Sequence, residues 1–151
     1  MSQAALLTAE VELVIPFHDV DMLKITWHGH YCKYLEVARC ALLEKIDYDY
    51  MTMRDTGYVW PIVDLHLRYV RPARFGQRVK VLAALVEYEY RMKIRYRVCD
   101  TTTGEVLVKG QTIQAAVDFR TGELCYASPP IFLQKLGIVA PLHPDAERGE
   151  G

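Results

Sequence analysis

The sequence has no long apolar run, no paired-cysteine motif and no excess of charge of one sign. None of its apolar stretches approaches the roughly 20 residues that a membrane helix needs, and residues 1–10 lack the basic region of a signal peptide. The four cysteines stand singly, which predicts no metal site and no disulfide and favours a cytoplasmic protein with reduced thiols. A formal net charge of -1 gives no global field to attract nucleic acid or an anionic membrane.

What remains is an ordinary globular composition. The 151 residues are 51% hydrophobic and 25% charged, which is enough apolar surface for one domain with its own core. No repeat or linker divides the chain, and a polar segment over residues 137–151 has the composition of a tail. We therefore predict a single domain over residues 1–151.

One amphipathic helix follows a short opening strand. Residues 12–17 are largely apolar and include Pro16, which predicts a strand at or near a sheet edge. After the polar segment 18–30, the spacing becomes helical for about four turns. The apolar positions of this helix are Tyr31, Tyr34, Leu35, Ala38, Ala41, Leu42 and Ile46. Residues 47–57 are interpreted as a polar connection.

The second half of the chain reads as consecutive strands. We predict strands over 58–70, with an interruption at Pro61, and over 79–90, 92–98 and 105–119, with turns at 71–76, 100–104 and 120–122. The segment 92–98 alternates cleanly between apolar and basic residues, and a short helix is predicted at 130–136. This order predicts an α+β fold in which an antiparallel sheet curls around the single helix. Its open edges favour pairing with another subunit.

The segment 18–31 concentrates groups that could carry chemistry. It holds Asp19, Asp21, three histidines and one tryptophan between a strand and a helix start. A helix start offers free backbone N–H groups and a positive dipole end, which can polarise a carbonyl. A carboxylate beside it could act as a nucleophile or general base. The alternative is that both aspartates are turn or capping residues.

Several spaced motifs resemble the hotdog-fold thioesterases of the 4-hydroxybenzoyl-CoA thioesterase type. They are the Asp19-Val20-Asp21 triplet, the run Trp27-His28-Gly29-His30-Tyr31, and the helix segment from Tyr34 to Arg39. Residues 69–76 are similar to the Tyr-x-x-Pro-Ala-x-x-Gly-Asp turn of that family, with Gln77 where Asp is usual. The resemblance covers roughly residues 10 to 135. It implies a hotdog fold, with a curved antiparallel sheet wrapped around one long central helix, and the hydrolysis of an acyl thioester to free acid and thiol.

The resemblance also implies roles for individual residues. Asp21 matches the catalytic aspartate, as nucleophile or general base, while Asp19 is expected to be structural. Backbone N–H groups from Gly29 to Tyr31 would form the oxyanion hole, and His28 would orient the acyl group or cap the helix entry. The complete set of candidates is catalytic Asp21, His28, Gly29 and Tyr31, and substrate-binding Trp27, His30, Arg71 and Arg74. Met22-Leu23-Lys24 and His30 depart from the family pattern, so the resemblance does not identify the acyl group of the substrate.

Partners follow from the same resemblance. It implies a pantetheine tunnel at a subunit interface, a homodimer or homotetramer, and an acyl-CoA or acyl-carrier-protein substrate whose phosphate or acidic surface Arg71 and Arg74 could meet. No cofactor, nucleic acid or membrane insertion is expected.

The basic residues Arg91, Lys93, Arg95 and Arg97 are interpreted as a solvated strand face. Glu36 and Glu44 are fallback catalytic carboxylates, although Glu36 and Arg39 are spaced for an ion pair. A hydroxyacyl-thioester dehydratase and a non-catalytic acyl-CoA-binding protein remain alternatives.

Overall fold

The first long strand and the main helix are joined by an irregular loop. A computed structural model describes residues 4–138. The elements are β1 (Leu7–Val14), α1 (Tyr31–Glu44), α2 (Tyr50–Asp55), β2 (Tyr58–Val59), β3 (Ile62–Tyr69), β4 (Arg78–Glu87), β5 (Met92–Asp100), β6 (Val106–Gln114), β7 (Val117–Asp118) and α3 (Pro130–Lys135). Single 3-10 turns at Phe17–Asp19 and His28–His30 lie within the loop between β1 and α1.

Five strands form one antiparallel sheet in the order β1, β4, β5, β6, β3. The alternation predicted along β5 is confirmed, with Met92, Ile94, Tyr96 and Val98 buried on the inner face. β1 and β3 are the edge strands, and nearly every residue of β3 is exposed. The backbone groups along one side of β3 are therefore open to a further strand.

The helix α1 covers the inner face of the curved sheet. Its buried apolar residues are Tyr31, Tyr34, Leu35, Ala38, Leu42 and Leu43, and it packs mainly against β1 and β4. Each fully buried leucine of this kind contributes about 1.5–3 kcal/mol of transfer free energy. This packing fixes the N-terminus of α1 against the loop that follows β1.

An aromatic cluster of Tyr48, Trp60 and Phe132 joins α3 to the rest of the protein. Trp60 donates its indole N–H to the Tyr48 hydroxyl at 3.0 Å, and the Phe132 ring of α3 stacks on Tyr48 with ring centroids 5.5 Å apart. The short strands β2 and β7 form a separate two-stranded sheet beside it. These contacts hold α3 on the body of the protein, where a helix at 130–136 was predicted.

The predicted α+β fold is confirmed, but three boundaries were wrong. The opening strand lies at Leu7–Val14 rather than 12–17, because the inward alternation begins at Leu7 and Ala9. The strand predicted at 79–90 is β4, which ends at Glu87. The strand predicted at 105–119 is divided, since Ala115 leaves the ladder and donates its N–H to the Pro61 carbonyl at 3.4 Å. β7 then pairs with β2 instead.

The connection predicted over 47–57 contains the short helix α2. Asp49 is its N-cap and accepts the Thr52 N–H at 2.8 Å, which satisfies one of the free donors of the first turn. The predicted tail, residues 137–151, lies outside the described residues from 139 onwards. No helix between residues 4 and 138 has both the length and the apolar character needed to cross a bilayer.

Candidate active site

The loop between β1 and α1 is organised around the buried carboxylate of Asp19. This side chain is only 1% exposed. One oxygen accepts the Tyr34 hydroxyl at 2.6 Å and the other accepts the Lys33 ammonium at 2.7 Å, both from the first turn of α1. The Asp19 carbonyl accepts the Trp27 N–H at 3.0 Å. Asp19 thus fastens both ends of the loop, in agreement with the structural role expected for it.

Asp19 is ionised at neutral pH despite its burial. Burial alone would raise its pKa, but hydrogen bonds from Lys33 and Tyr34 and the charge of Lys33 outweigh this effect and hold the pKa below its usual range. Burial and the hydrogen bond to Asp19 raise the pKa of Tyr34, which stays a neutral donor. His18 and His30 lie 3.6 Å and 3.8 Å from the same carboxylate oxygen. Asp19 is therefore fully engaged in holding the loop.

Asp21, unlike Asp19, is exposed. Val20 and Thr26 form an antiparallel bridge, and the Asp21 N–H binds the Ile25 carbonyl at 3.0 Å, so residues 20–26 make a tight hairpin. The Asp21 Oδ1 atom accepts the Leu23 N–H at 2.8 Å, and this is the only donor to its carboxylate among residues 4–138. Lys24 adopts the left-handed region, with φ of 62°. The second carboxylate oxygen of Asp21 is consequently presented on a rigid turn.

The Trp27 indole covers the entry to α1. Its ring contacts His28 and His30, with centroids 4.7 Å and 5.3 Å apart. A Cβ atom on Gly29 would clash with this indole, so a side chain at this position would displace the ring. Gly29 is needed here because the indole lies directly against its backbone. The backbone N–H groups of the first helical turn follow immediately.

Tyr31 and Tyr69 connect the helix start to β3 and the turn after it. The Tyr31 hydroxyl is buried and accepts the Ala73 N–H at 3.0 Å. Tyr69 donates its hydroxyl to the His28 carbonyl at 3.0 Å, and its ring lies 5.5 Å from that of Tyr31. Tyr69 was missed as a site residue. Its position two residues beyond Leu67 on the same strand face was the signal that could have identified it.

The two candidate arginines lie on the turn after β3 and differ in their contacts. The Arg71 guanidinium forms an exposed ion pair with Glu105 at 2.8 Å. Arg74 is bound through its backbone, which bridges to Ile25 and donates its N–H to the Gln77 side chain at 2.8 Å. Gln77 in turn donates to Asp100 at 2.6 Å. Gln77 therefore links this turn to β5 in the position where the family pattern has aspartate.

The fallback carboxylates lie further along α1. The predicted ion pair of Glu36 with Arg39 is present, and the other oxygen of Glu36 accepts the Tyr50 hydroxyl at 2.9 Å. The buried Arg39 also donates to that hydroxyl at 2.9 Å. Glu36 thus joins α1 to α2, while Glu44 is exposed at the end of α1.

The surface around Asp21 is apolar and open. Met22 is 100% exposed and Leu23 is 74% exposed. Phe17 and Phe75 contact each other edge to face across the loop, with ring centroids 5.8 Å apart, and both are also exposed. A carboxylate on such a turn, with an apolar rim around it, could attack a carbonyl or activate water once a second surface covers it.

Sequence comparisons relate the chain to thioesterases and esterases. The model of the thioesterase-like superfamily matches residues 15–136. A Synechocystis protein named provisionally as an esterase is 30% identical over 128 residues, which cover 84% of this chain and 77% of that protein. A Bacillus subtilis protein named provisionally as an acyl-CoA thioesterase is 25% identical over 108 residues, covering 71% of this chain and 78% of that one.

A solved structure supports the fold. A 1,4-dihydroxy-2-naphthoyl-CoA thioesterase from Synechocystis superposes with a TM-score of 0.77, covering 91% of this chain and 99% of that chain. The two sequences are 15% identical, so this similarity concerns the architecture. The curved sheet around one long helix is the hotdog fold that the sequence motifs implied.

Proposed function

Because the chain belongs to the thioesterase-like superfamily, we propose that it hydrolyses an acyl-CoA or acyl-carrier-protein thioester to a free acid and a thiol. The observation that carries this proposal is the Asp21 carboxylate. One of its oxygens accepts the Leu23 N–H at 2.8 Å, and the other has no donor among residues 4–138, in the loop that leads into α1.

Two routes use the same geometry. In the first, an Asp21 oxygen attacks the thioester carbonyl, the C–S bond breaks, and water later hydrolyses the acyl anhydride. In the second, Asp21 takes a proton from a water molecule that attacks the carbonyl directly. In both, the backbone N–H groups of Gly29 and Tyr31 stabilise the oxyanion, because the His30 N–H already binds the Trp27 carbonyl at 3.0 Å. The thiolate leaves with little need for an acid.

The neighbouring residues have supporting roles in this proposal. His28 orients the acyl group, with its carbonyl anchored by Tyr69. Trp27 and His30 form one wall of the acyl pocket, since their rings lie 5.3 Å apart at the helix entry. Tyr31 acts by positioning, because its hydroxyl holds the Ala73 N–H. Arg71 and Arg74 bind the phosphate or acidic surface of the thiol donor. Arg71 is paired with Glu105, whereas Arg74 forms no ion pair among residues 4–138.

A thiol-release assay tests the reaction. Purified protein is incubated with panels of acyl-CoA and acyl-carrier-protein thioesters, and the freed thiol is measured with a colorimetric reagent. We expect thiol release above the uncatalysed rate with at least one panel, and the panel that reacts identifies the donor. Enoyl product without thiol release from a hydroxyacyl thioester would instead indicate a dehydratase. Thermal stabilisation by acyl-CoA without any turnover would indicate a binding protein.

We further propose that the site is completed by a second copy of the chain. The edge strand β3 exposes Ile62, Val63 and Leu65, which are 43%, 59% and 46% exposed. Tyr69, on the same strand, contacts the site through the His28 carbonyl. Antiparallel pairing of two β3 strands would satisfy the open backbone groups, cover this apolar edge and bring the second subunit to the rim around Asp21.

Replacing Leu65 with lysine tests this arrangement. A charged residue at the centre of β3 should block strand pairing while remaining solvated in a single chain. We expect light scattering to show a dimer or tetramer for the wild type and a monomer for Leu65→Lys, with thioesterase activity reduced at least about tenfold. Lys109→Leu, on the neighbouring strand, is a control that should keep the oligomer. A wild-type monomer with full activity contradicts the proposal.

A further inference from the structure

The outer face of the sheet, which faces away from α1, carries a compact group of positive charges. The register places Arg97 opposite Lys109, and Lys109 opposite Arg68, so three cations form a row across β5, β6 and β3. In the next row, Arg95 is opposite Gln111, and Gln111 is opposite His66. We call Arg68, Arg95, Arg97 and Lys109 the outer basic cluster.

The outer basic cluster is not neutralised from within the chain. In the part of the chain that the structure describes, none of its four members forms an ion pair, whereas nearby Lys80 and Lys93 lie 3.8 Å from Glu10 and Glu87. Like charges placed directly opposite each other on adjacent strands destabilise a sheet. The solvated face expected from the sequence therefore has an uncompensated charge density at its centre.

The cluster also borders a groove. This groove has a volume of about 450 Å³, and its apolar lining includes Leu82, Ala84 and Val86 of β4. Arg68, Arg95, Arg97 and Lys109 all line it. A volume of this size lies within the range typical of small-molecule sites, and the pairing of an apolar wall with several cations suits an anion that carries an apolar or aromatic group.

The surroundings limit how large the ligand can be. On the β1 side, Glu10 lies opposite Leu82, and Glu12 lies opposite Lys80. On β3, Asp64 lies two residues before His66 on the same face. The basic surface is therefore bounded by carboxylates and is about two strand spacings, roughly 10 Å, wide. A broad acidic protein surface would meet these carboxylates, whereas a small anion would fit between them.

We propose that the outer basic cluster and its groove form a binding site for a small organic anion with two or more phosphoryl groups, such as a nucleoside polyphosphate. Guanidinium and ammonium groups on adjacent strands bind neighbouring phosphoryl oxygens, and the β4 side chains contact the organic part. The site lies on the face of the sheet opposite α1. It is therefore separate from the groups around Asp21.

Calorimetric titration of the full chain with ATP and with inorganic tripolyphosphate tests the site. Both probes should bind, and ATP should bind more tightly because it also contacts the apolar wall. The double variant Arg97→Gln/Lys109→Gln should weaken ATP binding at least about tenfold. Its melting temperature should rise by about 2 °C, since opposed charges are removed.

Two further variants make the result decisive. Arg54→Gln/Arg120→Gln removes the same charge from exposed positions outside the groove and should bind ATP like the wild type. Arg68→Gln/Arg95→Gln removes the other half of the cluster and repeats the test if the first variant does not fold. The proposal is overturned if neither probe binds, if the cluster and control variants bind equally, or if a polyglutamate peptide binds as tightly as ATP.

Steady-state kinetics distinguish two sources of this anion, which are a free nucleotide and the nucleotide part of an acyl-CoA substrate. If the acyl-CoA KM is unchanged in the cluster variant while ATP binding is lost, the ligand is a free nucleotide. If that KM rises with kcat unchanged, and ATP competes with acyl-CoA, the ligand is the nucleotide part of the substrate. The titrations do not depend on thioesterase activity, so failure of the proposed function would leave their result intact.

Discussion

Replacing Asp21 with asparagine is expected to lower kcat for thioester hydrolysis by about 10³-fold without loss of the fold. An asparagine Oδ1 can still accept the Leu23 N–H that Asp21 accepts at 2.8 Å, so the tight turn is retained. What is lost is the carboxylate charge, which both proposed routes require. The change should therefore appear in turnover, measured as thiol release under substrate saturation.

The turn after β7 supplies a matched control. Asp118 accepts the N–H of Arg120 at 2.8 Å, with the same two-residue spacing as Asp21 and Leu23. Asp118→Asn should keep full activity, and circular dichroism should show unchanged secondary structure for both variants. Full activity in Asp21→Asn would remove Asp21 from the mechanism and leave Glu36 and Glu44 as the carboxylates to test.

Replacing Asp19 with alanine is expected to lower the free energy of unfolding by about 2–3 kcal/mol. The Tyr34 hydroxyl would remain buried without its acceptor, and the link between the loop and the first turn of α1 would be lost. Lys33 is 51% exposed and can be solvated, which limits the cost. Asp19→Asn keeps an acceptor for Tyr34 and should lose less. Denaturant unfolding measures each difference.

The contribution of Asp19 should also depend on pH in a defined direction. The folded-state pKa of Asp19 is lowered, so its stabilisation is fully present above the unfolded-state pKa of about 3.9 and is lost as the pH falls through the lower folded value. The stability difference between wild type and Asp19→Asn should therefore shrink below about pH 4. Exposed Asp64, replaced by asparagine, serves as the control. A difference that is independent of pH would contradict the role given to the Asp19 charge.

The helix α1 and the strand β5 could be predicted because each has a strong hydrophobic period. α1 buries one face at helical spacing, and β5 alternates basic and apolar residues over its length, so local sequence was sufficient for both. α2 has six residues, too few for a period, and depends on the cap at Asp49. The division between β6 and β7 depends on the hydrogen bond from Ala115 to the carbonyl of Pro61, more than 50 residues earlier in the chain. No local sequence pattern indicates this contact.

The candidate site, too, could be predicted only in part from the sequence. The segment 18–31 could be identified from its composition, since carboxylates and histidines stand beside a helix start. The opposite environments of Asp19 and Asp21 could not be derived from composition, because they follow from contacts of Asp19 with residues 14 and 15 positions away. The outer basic cluster likewise requires the register of three strands. Along β5 alone, its arginines are indistinguishable from an ordinary solvated face.

The position of the two tryptophans gives the chain a built-in optical probe. Trp60 is 5% exposed, whereas Trp27 is 49% exposed and lies beside His28 and His30 at the helix entry. Their emission should therefore separate into a blue component that aqueous quenchers do not reach and a red component that iodide quenches. Any molecule that covers the entry to α1 changes the red component alone, so occupancy can be followed without a label or a reaction.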